Sequence, residues 1–219
     1  MALTKYNYNS FDVTPVASKA LAFNSDADGL TTATEGDMVL IKTLTASSSA
    51  TLSFVDGADD VVLDNTYPIY LFKFISIHPS AQQDFQFNMS IDAGSNYNVT
   101  KTTTFFRAQH AEDDSYANLA YQTDKDLAQA TGFQPLGQYL SIGNDSSSSG
   151  TLTLFSPSST TFVKHFICTL NSVYDSATIR EQFIAGYGNT TSAVDAIQFK
   201  MSTGNIDAGT IKLYGLKDS

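Results

Sequence analysis

The sequence predicts an all-β protein, and two observations carry that prediction. The first is alternation: in the run AIQFKM, Ile197, Phe199 and Met201 fall on one face of an extended chain, and the residues between them are polar. The second is composition, because 15 Phe and 11 Tyr accompany only 16% charged residues, which favours strands over helices. With 219 residues, the chain is long enough to bury a substantial core.

The first 37 residues predict an N-terminal arm, because they are polar and contain few apolar side chains. The first part of this stretch contains three aromatic residues, namely Tyr6, Tyr8 and Phe11. We expect them to contact a partner protein by covering an apolar patch on its surface. The alternative is a frayed terminus without a role, since chain ends are commonly poorly ordered. A single domain is expected over residues 38–219.

Short apolar or alternating runs, separated by turn residues, predict the strands of this domain. The first set is 38–44, 50–55, 67–77, 84–91 and 102–108, and the second set is 137–142, 150–155, 161–170, 195–202 and 209–216. An insertion at 109–136 separates the two sets, and its helix-forming residues predict a short helix over Leu119–Ala130. The strand at 67–77 is apolar nearly throughout, which is typical of a central strand or an oligomer contact.

The last two predicted strands are expected to pair with each other as a hairpin. The segment STGNIDAG between them contains Gly204, Asn205, Asp207 and Gly209. These residue types tolerate the positive φ angles that a chain reversal requires. The domain is therefore predicted to finish on a packed strand pair.

A weak internal repeat divides the strands into two quartets. SSSATLSF at 47–54 matches SSSGTLTL at 147–154, and FQFNMS at 85–90 matches IQFKMS at 197–202. Between these matches LFKFISI recurs loosely as VKHFICTL, and TTTFFRA takes the place of TIKLYGL. Two successive quartets are typical of a jelly roll, which folds about eight strands into two facing sheets. Two tandem small sandwiches are the alternative, but no linker divides the halves and each has little apolar area of its own.

Charge and cysteine content exclude several classes of function. The net charge is −10, from 12 basic and 22 acidic residues, so nucleic acid would be repelled. Cys168 is the single cysteine, and its sequence context predicts a small buried hydrophobe. No apolar run has the ~20 residues of a membrane span, and no signal peptide is apparent. We therefore expect a protein made in a cytoplasm, without a membrane partner.

One segment resembles a calcium-binding loop. In NSDADGLTTATE, Asn24, Asp26, Asp28, Gly29 and Glu35 occupy positions 1, 3, 5, 6 and 12 of that pattern. Asn replaces the usual Asp at the first position, and no helix pair is predicted around the loop. A solvated turn is therefore favoured, and we predict no metal ion or cofactor.

No catalytic motif is apparent in the sequence. His110 precedes Glu112, Asp113 and Asp114, a cluster that suits a cation but equally a charged surface loop, which is the favoured interpretation. There is no G-x-S-x-G elbow, phosphate-binding loop or dinucleotide fingerprint. A polysaccharide-degrading enzyme stays open as a further alternative, because paired carboxylates meet in space rather than in sequence. We predict that the protein is not an enzyme.

The C-terminal stretch AVDAIQFKMSTGNIDAGTIKLYGLK resembles the end of virion structural proteins of tailed bacteriophages of the marine and cyanophage type. Those proteins finish on a similar GNI-x-x-G-T-I-x-LYG strand pair. The stretch ATLSFVDGADDVVLDNTYPIYLFKFISIHPS also resembles their Tyr- and Phe-rich strand segment. The resemblance covers most of residues 38–216 and implies a β-sandwich in the capsid, its decoration or the tail. It implies no catalytic residues.

The expected function is therefore structural. The resemblance implies a capsid decoration, minor capsid or tail protein. We expect it to assemble with other virion proteins and with itself, as a homo-oligomer such as a trimer. The alternative is a carbohydrate-binding receptor-recognition module of a tail appendage, because jelly rolls also serve as lectin domains. Its glycan contacts would come from Tyr97, Tyr116 and Tyr121, which can stack on sugar rings.

Overall fold

The computed structural model describes residues 21–23, 30–32, 37–175 and 177–217. Within these ranges every regular element is a β-strand, which confirms the all-β prediction. The predicted helix over Leu119–Ala130 is wrong, because its first residues belong to the strand Ala117–Tyr121 and turns follow. Helix propensity is a weak local preference, and pairing with the neighbouring strand outweighs it here.

Fourteen strands are described. In chain order they are β1 (Leu21–Phe23), β2 (Leu30–Thr32), β3 (Met38–Thr45), β4 (Leu52–Val55), β5 (Ile69–Pro79), β6 (Phe85–Ser90), β7 (Lys101–Ala111), β8 (Ala117–Tyr121), β9 (Gln134–Gly137), β10 (Ser148–Phe155), β11 (Lys164–Tyr174), β12 (Thr178–Gly188), β13 (Ala196–Met201) and β14 (Ile206–Leu216). Eight of them form one sheet in the order β3-β14-β5-β10-β11-β12-β7-β8. Four form a second sheet in the order β4-β13-β6-β9, and β1 pairs with β2. All of these pairings are antiparallel.

Aromatic side chains fill the space between the two large sheets. Phe199 of β13 lies at the centre of this core. Ring centroids within 6.3 Å of its own belong to Phe54, Phe72, Phe74, Phe85 and Phe87. Phe72 and Phe74 come from the eight-stranded sheet, whereas the others come from the four-stranded sheet. The two sheets therefore pack face to face as a β-sandwich.

The last two strands do not pair with each other, so the predicted hairpin is wrong. β13 lies between β4 and β6 in the four-stranded sheet, whereas β14 lies between β3 and β5 in the eight-stranded sheet. The segment that connects β13 to β14 contacts the end of β5, where the backbone N–H of Asn205 donates to Ser80 Oγ at 2.8 Å. Gly204 has a φ of +79° and supports the predicted turn, but the turn carries the chain across the core.

The internal repeat corresponds only in part to the architecture. β6 and β13 are neighbours in the four-stranded sheet, and their matching residues Phe87 and Phe199 are paired directly. β5 and β11 flank β10 in the other sheet. The first match does not correspond, because β4 and β10 lie in different sheets. Short Ser-rich runs match easily without occupying equivalent places.

Several strands were not predicted. β12 is absent from the predicted set, and β1 and β2 fall within the predicted arm. The predicted insertion 109–136 contains β8 and the start of β9, and β9 pairs with β6 as an edge of the four-stranded sheet. The strand expected at 137–142 is displaced, because β9 ends at Gly137. Cys168 is buried as predicted, and burial raises the pKa of its thiol.

The inner face of the eight-stranded sheet changes character across its width. We call the inner face of β3, β14, β5 and β10 the aromatic half, because the four-stranded sheet covers it with rings. We call the inner face of β11, β12 and β7 the polar half. Its fully or nearly fully buried polar side chains are Lys101, Thr103, Lys164, Ser172, Thr178, Arg180 and Gln182. Part of it is covered by the segment around β9, since Gln182 Oε1 accepts from the backbone N–H of Gln138.

The two ends of the described domain lie side by side. Met38, at the start of β3, is paired with Leu216, at the end of β14. One residue further out, the backbone N–H of Lys217 donates to the carbonyl oxygen of Asp37 at 2.8 Å. The described chain therefore enters and leaves the domain at neighbouring positions on the eight-stranded sheet.

Candidate interaction surface

The strands that widen the eight-stranded sheet present an exposed apolar surface. We call this surface the outer face, and it consists of the outward side chains of β11, β12, β7 and β8. Its most exposed apolar residues are Phe106, Leu119, Tyr121, Ile167 and Ile179. Leu119 is 70% exposed and Ile167 is 54% exposed. A contiguous apolar surface of this kind is typical of an interaction site.

The outer face carries little charge in an otherwise acidic chain. Within these four described strands the single carboxylate is that of Glu181, although the chain contains 22 acidic residues. Asn171 Nδ2 donates to Glu181 Oε2 at 3.0 Å. The low charge means that a partner can cover this face at little cost in desolvating ionised groups.

Neighbouring strands align their large side chains in rows. Phe183 of β12 is paired with Phe106 of β7, and their rings stack with centroids 4.9 Å apart and planes 13° from parallel. Tyr121 of β8 is paired with Phe106 and extends the row. The Tyr121 hydroxyl donates to Asp126 Oδ2 at 2.6 Å, and this hydrogen bond raises the pKa of the phenol. The row is an aromatic ridge with one polar end.

A groove of about 470 Å³ runs beside this ridge. Its floor lies at Ala185, whose short side chain is flanked by the Phe183 row on one side and by Tyr187 on the other. Tyr187 is paired with His165, and their ring centroids are 6.0 Å apart. The other lining residues are Thr102, Thr103, Thr104, Phe155, Phe166, Ile167 and Gly186. The groove combines an apolar floor with hydroxyl and imidazole groups, which suits a partner's apolar side chain or the face of a sugar ring.

The structure does not bring the three predicted glycan-contact tyrosines together. Tyr97 lies in the connection before β7, whereas Tyr116 lies beyond the far end of that strand. The 11 residues of β7 span about 33 Å at the usual rise per residue of a strand. The Tyr116 hydroxyl is 3.0 Å from Thr178 Oγ1, a residue of the inner face. Tyr121 alone contributes to the outer face.

The predicted partner contacts Tyr6, Tyr8 and Phe11 lie outside the described residues. The same holds for Asn24, Asp26, Asp28 and Glu35 of the calcium-like loop.

The acidic cluster after β7 is a solvated loop. His110 Nε2 lies 3.0 Å from Asp114 Oδ1, and both side chains are exposed. Asp113 accepts hydrogen bonds from Ser115, which lower the pKa of its carboxyl, opposite to the effect of carboxylate crowding. Among the described residues no group of three or more His, Cys, Asp or Glu side chains is arranged to hold a metal ion.

Sequence reasoning missed the residues that shape the groove. Ala185 and Tyr187 belong to β12, which was not predicted. Its inward positions include Arg180 and Gln182, so the run lacks the apolar alternation that marks a half-buried strand. The available signal was the run QFIAGYG, rich in strand-forming Phe, Ile and Tyr.

Comparison with protein-family models, with curated proteins and with solved structures finds no match to this chain. In the described ranges, no helix is long and apolar enough to cross a membrane.

Proposed function

We propose that this protein is a structural component of a tailed-bacteriophage virion, in the capsid decoration, the minor capsid or the tail. It acts by protein–protein assembly rather than by catalysis. The observation that carries the proposal is the outer face, which is apolar, aromatic and nearly uncharged in a chain of net charge −10. The resemblance of the C-terminal residues to such proteins gives the proposal its biological setting.

We further propose that the sandwich is a jelly roll carrying two additional hairpins. Eight strands support this: β3, β4, β5, β6, β9, β10, β13 and β14. Their orders β3-β14-β5-β10 and β4-β13-β6-β9 are those in which two Greek keys place strands in two facing sheets. The hairpins β7–β8 and β11–β12 extend the first of these sheets beyond β10. The outer face is thus built on the added strands.

The partner that we assign to the outer face is a second copy of this chain. A self-complementary apolar patch is the usual basis of a closed homo-oligomer, and the aromatic ridge beside a groove offers such complementarity. Other virion proteins are the alternative partners. In that case the isolated chain stays monomeric.

The test is the oligomeric state of the purified protein, measured by sedimentation velocity. We expect an oligomer that dissociates in the Leu119→Glu and Ile167→Glu variants, because each places a charge on the outer face. Leu40→Glu is the matched control, since Leu40 is also exposed on this sheet but belongs to β3 at the opposite edge. A monomeric wild type, or equal dissociation of the control, contradicts self-assembly through this face. The position of the protein in a particle reconstruction tests the virion assignment.

The second candidate function is carbohydrate binding at the groove. Its support is the short Ala185 floor between aromatic rows, together with the hydroxyls of Thr102, Thr104 and Tyr187. We expect glycan-array binding by the wild type and its loss in Ala185→Phe, which fills the groove. Absence of binding above background by the wild type removes this candidate.

A further inference from the structure

A lysine and an asparagine are enclosed together between the two sheets. Lys101 is the first residue of β7 in the eight-stranded sheet, and Asn88 belongs to β6 in the four-stranded sheet. Both residues are 0% exposed. Lys101 Nζ donates to Asn88 Oδ1 at 2.5 Å, shorter than the usual N–H···O range of about 2.7–3.2 Å. The amine therefore lies against the side-chain amide.

The lysine is held by uncharged groups. Its second partner is the backbone carbonyl oxygen of Val99, at 2.7 Å. Neither contact is to a carboxylate, so the ammonium form has lost water without gaining a counter-charge. Burial consequently lowers the pKa of Lys101 to about 7. The charged side chain in the same row of the sheet is that of Lys164, which lies two strands away, beyond Gly188. Lys164 is itself a cation and supplies no counter-charge. A large fraction of Lys101 is therefore a neutral amine at neutral pH.

The asparagine is fixed and polarised by its own hydrogen bonds. Its Nδ2 donates to the carbonyl oxygens of Tyr97, at 2.6 Å, and Thr131, at 3.0 Å. Its Oδ1 accepts from the backbone N–H of Met89 at 2.8 Å as well as from Lys101. A donor on the amide oxygen stabilises the negative charge that develops there when a nucleophile attacks the amide carbon.

We propose that Lys101 and Asn88 form an intramolecular isopeptide bond between the two sheets. The neutral Nζ attacks Asn88 Cγ, and the bond between Nζ and Cγ forms as the bond between Cγ and Nδ2 breaks. One Nζ proton passes to Nδ2, which leaves as ammonia. No electron is transferred and no co-reactant is consumed. The inference is independent of the proposed function.

The proximity of the two side chains accelerates this reaction. An amide is a poor electrophile in water, but reacting groups held in contact can reach effective molarities of about 10⁵ to 10⁸ M. In the part of the chain that the structure describes, no carboxylate hydrogen-bonds to either group to shuttle the proton, so we expect a slow self-maturation after folding. Burial also excludes the water that would otherwise hydrolyse the amide.

The link would close a loop of residues 88–101 and tie the four-stranded sheet to the eight-stranded sheet. A covalent tie of this kind restricts the unfolded chain much as a disulfide does, and it needs no oxidising compartment. The single cysteine, Cys168, is buried and unpaired, so the chain has no disulfide for the purpose.

The experiment is the intact mass of the full-length wild-type protein, incubated across about pH 6 to 9. We expect a species lighter by one ammonia, and a proteolytic map in which the peptides of Asn88 and Lys101 are joined. Its rate of formation should rise between about pH 6 and 8 and then level off, because the neutral fraction of Lys101 grows as the pH passes its pKa.

Lys101→Met should abolish the mass loss. Lys164→Met is the matched control, because Lys164 is also 0% exposed but its Nζ donates to the backbone carbonyls of Ser159, Phe162 and Thr190 rather than to a side-chain amide. An unchanged wild-type mass after prolonged incubation at the highest pH overturns the proposal. So does an ammonia loss that maps to any other residue, and neither result depends on the variants folding.

Discussion

The aromatic half and the polar half of one sheet are stabilised by different forces. In the aromatic half, rings from two sheets interlock around Phe199, and stability comes from apolar burial. In the polar half, Arg180 Nη1 donates to the carbonyl oxygen of Gln138 and its guanidinium lies 3.4 Å from the Tyr174 ring centroid. Nearby, buried Lys125 donates to Asp84 Oδ2 at 2.9 Å.

The difference follows from what covers each half. A second sheet supplies a continuous apolar face, whereas an irregular segment brings unpaired backbone groups that the sheet's side chains must satisfy. Gln138 illustrates this, because its backbone N–H donates to Gln182 Oε1 and its carbonyl oxygen accepts from Arg180 Nη1. We therefore expect the aromatic half to tolerate little loss of volume and the polar half to tolerate little loss of hydrogen bonding.

Removing residues 209–219 should have the largest effect. Most of β14 would be lost from between β3 and β5, which leaves two unpaired strand edges inside the aromatic half. We expect no soluble folded protein, judged by expression and thermal melting. Removing residues 217–219, which follow β14, is the control. A soluble truncation with a cooperative melt contradicts this expectation.

Phe199→Ala should come next. It removes the central ring of the aromatic half, and a buried Phe to Ala change costs about 3–5 kcal/mol of unfolding free energy, here at the upper end. Phe162→Ala is the control, because Phe162 is 72% exposed and its loss should change little. The measurement is denaturant unfolding. Equal effects of the two variants would contradict the assignment of Phe199 to the centre of the core.

Lys125→Met tests the ion pair between Lys125 and Asp84 beside the polar half. It leaves Asp84 as a buried carboxylate without its cation, which costs about 3 kcal/mol by the usual range for broken buried pairs. Lys200→Met is the control, since Lys125 Nζ lies 4.7 Å from the Tyr139 ring centroid and Lys200 Nζ lies 4.3 Å from that of Phe133. Adding Asp84→Asn to Lys125→Met should recover part of the loss. No recovery would show that packing of the lysine stem, rather than charge, matters.

Gln182→Ala should have the smallest of these effects, about 1–3 kcal/mol. It leaves the backbone N–H of Gln138 and the hydroxyl of Ser172 without their buried partner. Gln182→Leu keeps the volume and should be equally destabilising if hydrogen bonding dominates. A Gln182→Leu variant as stable as the wild type would show that apolar burial, as in the aromatic half, stabilises this position rather than hydrogen bonding.

The same contrast explains how far the sequence could predict the fold. β13 was found because Ile197, Phe199 and Met201 alternate in an aromatic core. β12 was missed because Arg180 and Gln182 occupy its buried positions, so its burial depends on hydrogen bonds that no periodicity reveals. The partners of β14 were missed because a turn sequence specifies a reversal and not which sheet receives the next strand.

The candidate surface was predictable only in its residue types. Tyr121 was singled out for its ring, but its row with Phe106 and Phe183 depends on the register of three strands distant in sequence. The groove depends on Ala185, whose role cannot be predicted until its neighbours on the adjacent strands are known.

The pairing of Met38 with Leu216 has a mechanical consequence. A pull applied at residues 37 and 217 acts across the β3–β14 ladder at its open end, so its hydrogen bonds would break one after another, as in a zipper. A pull between residue 37 and the opposite edge strand β8 would instead load many strand pairs together. The domain should therefore peel easily from this point and resist extension in other directions, which single-molecule force spectroscopy with differently placed handles can measure.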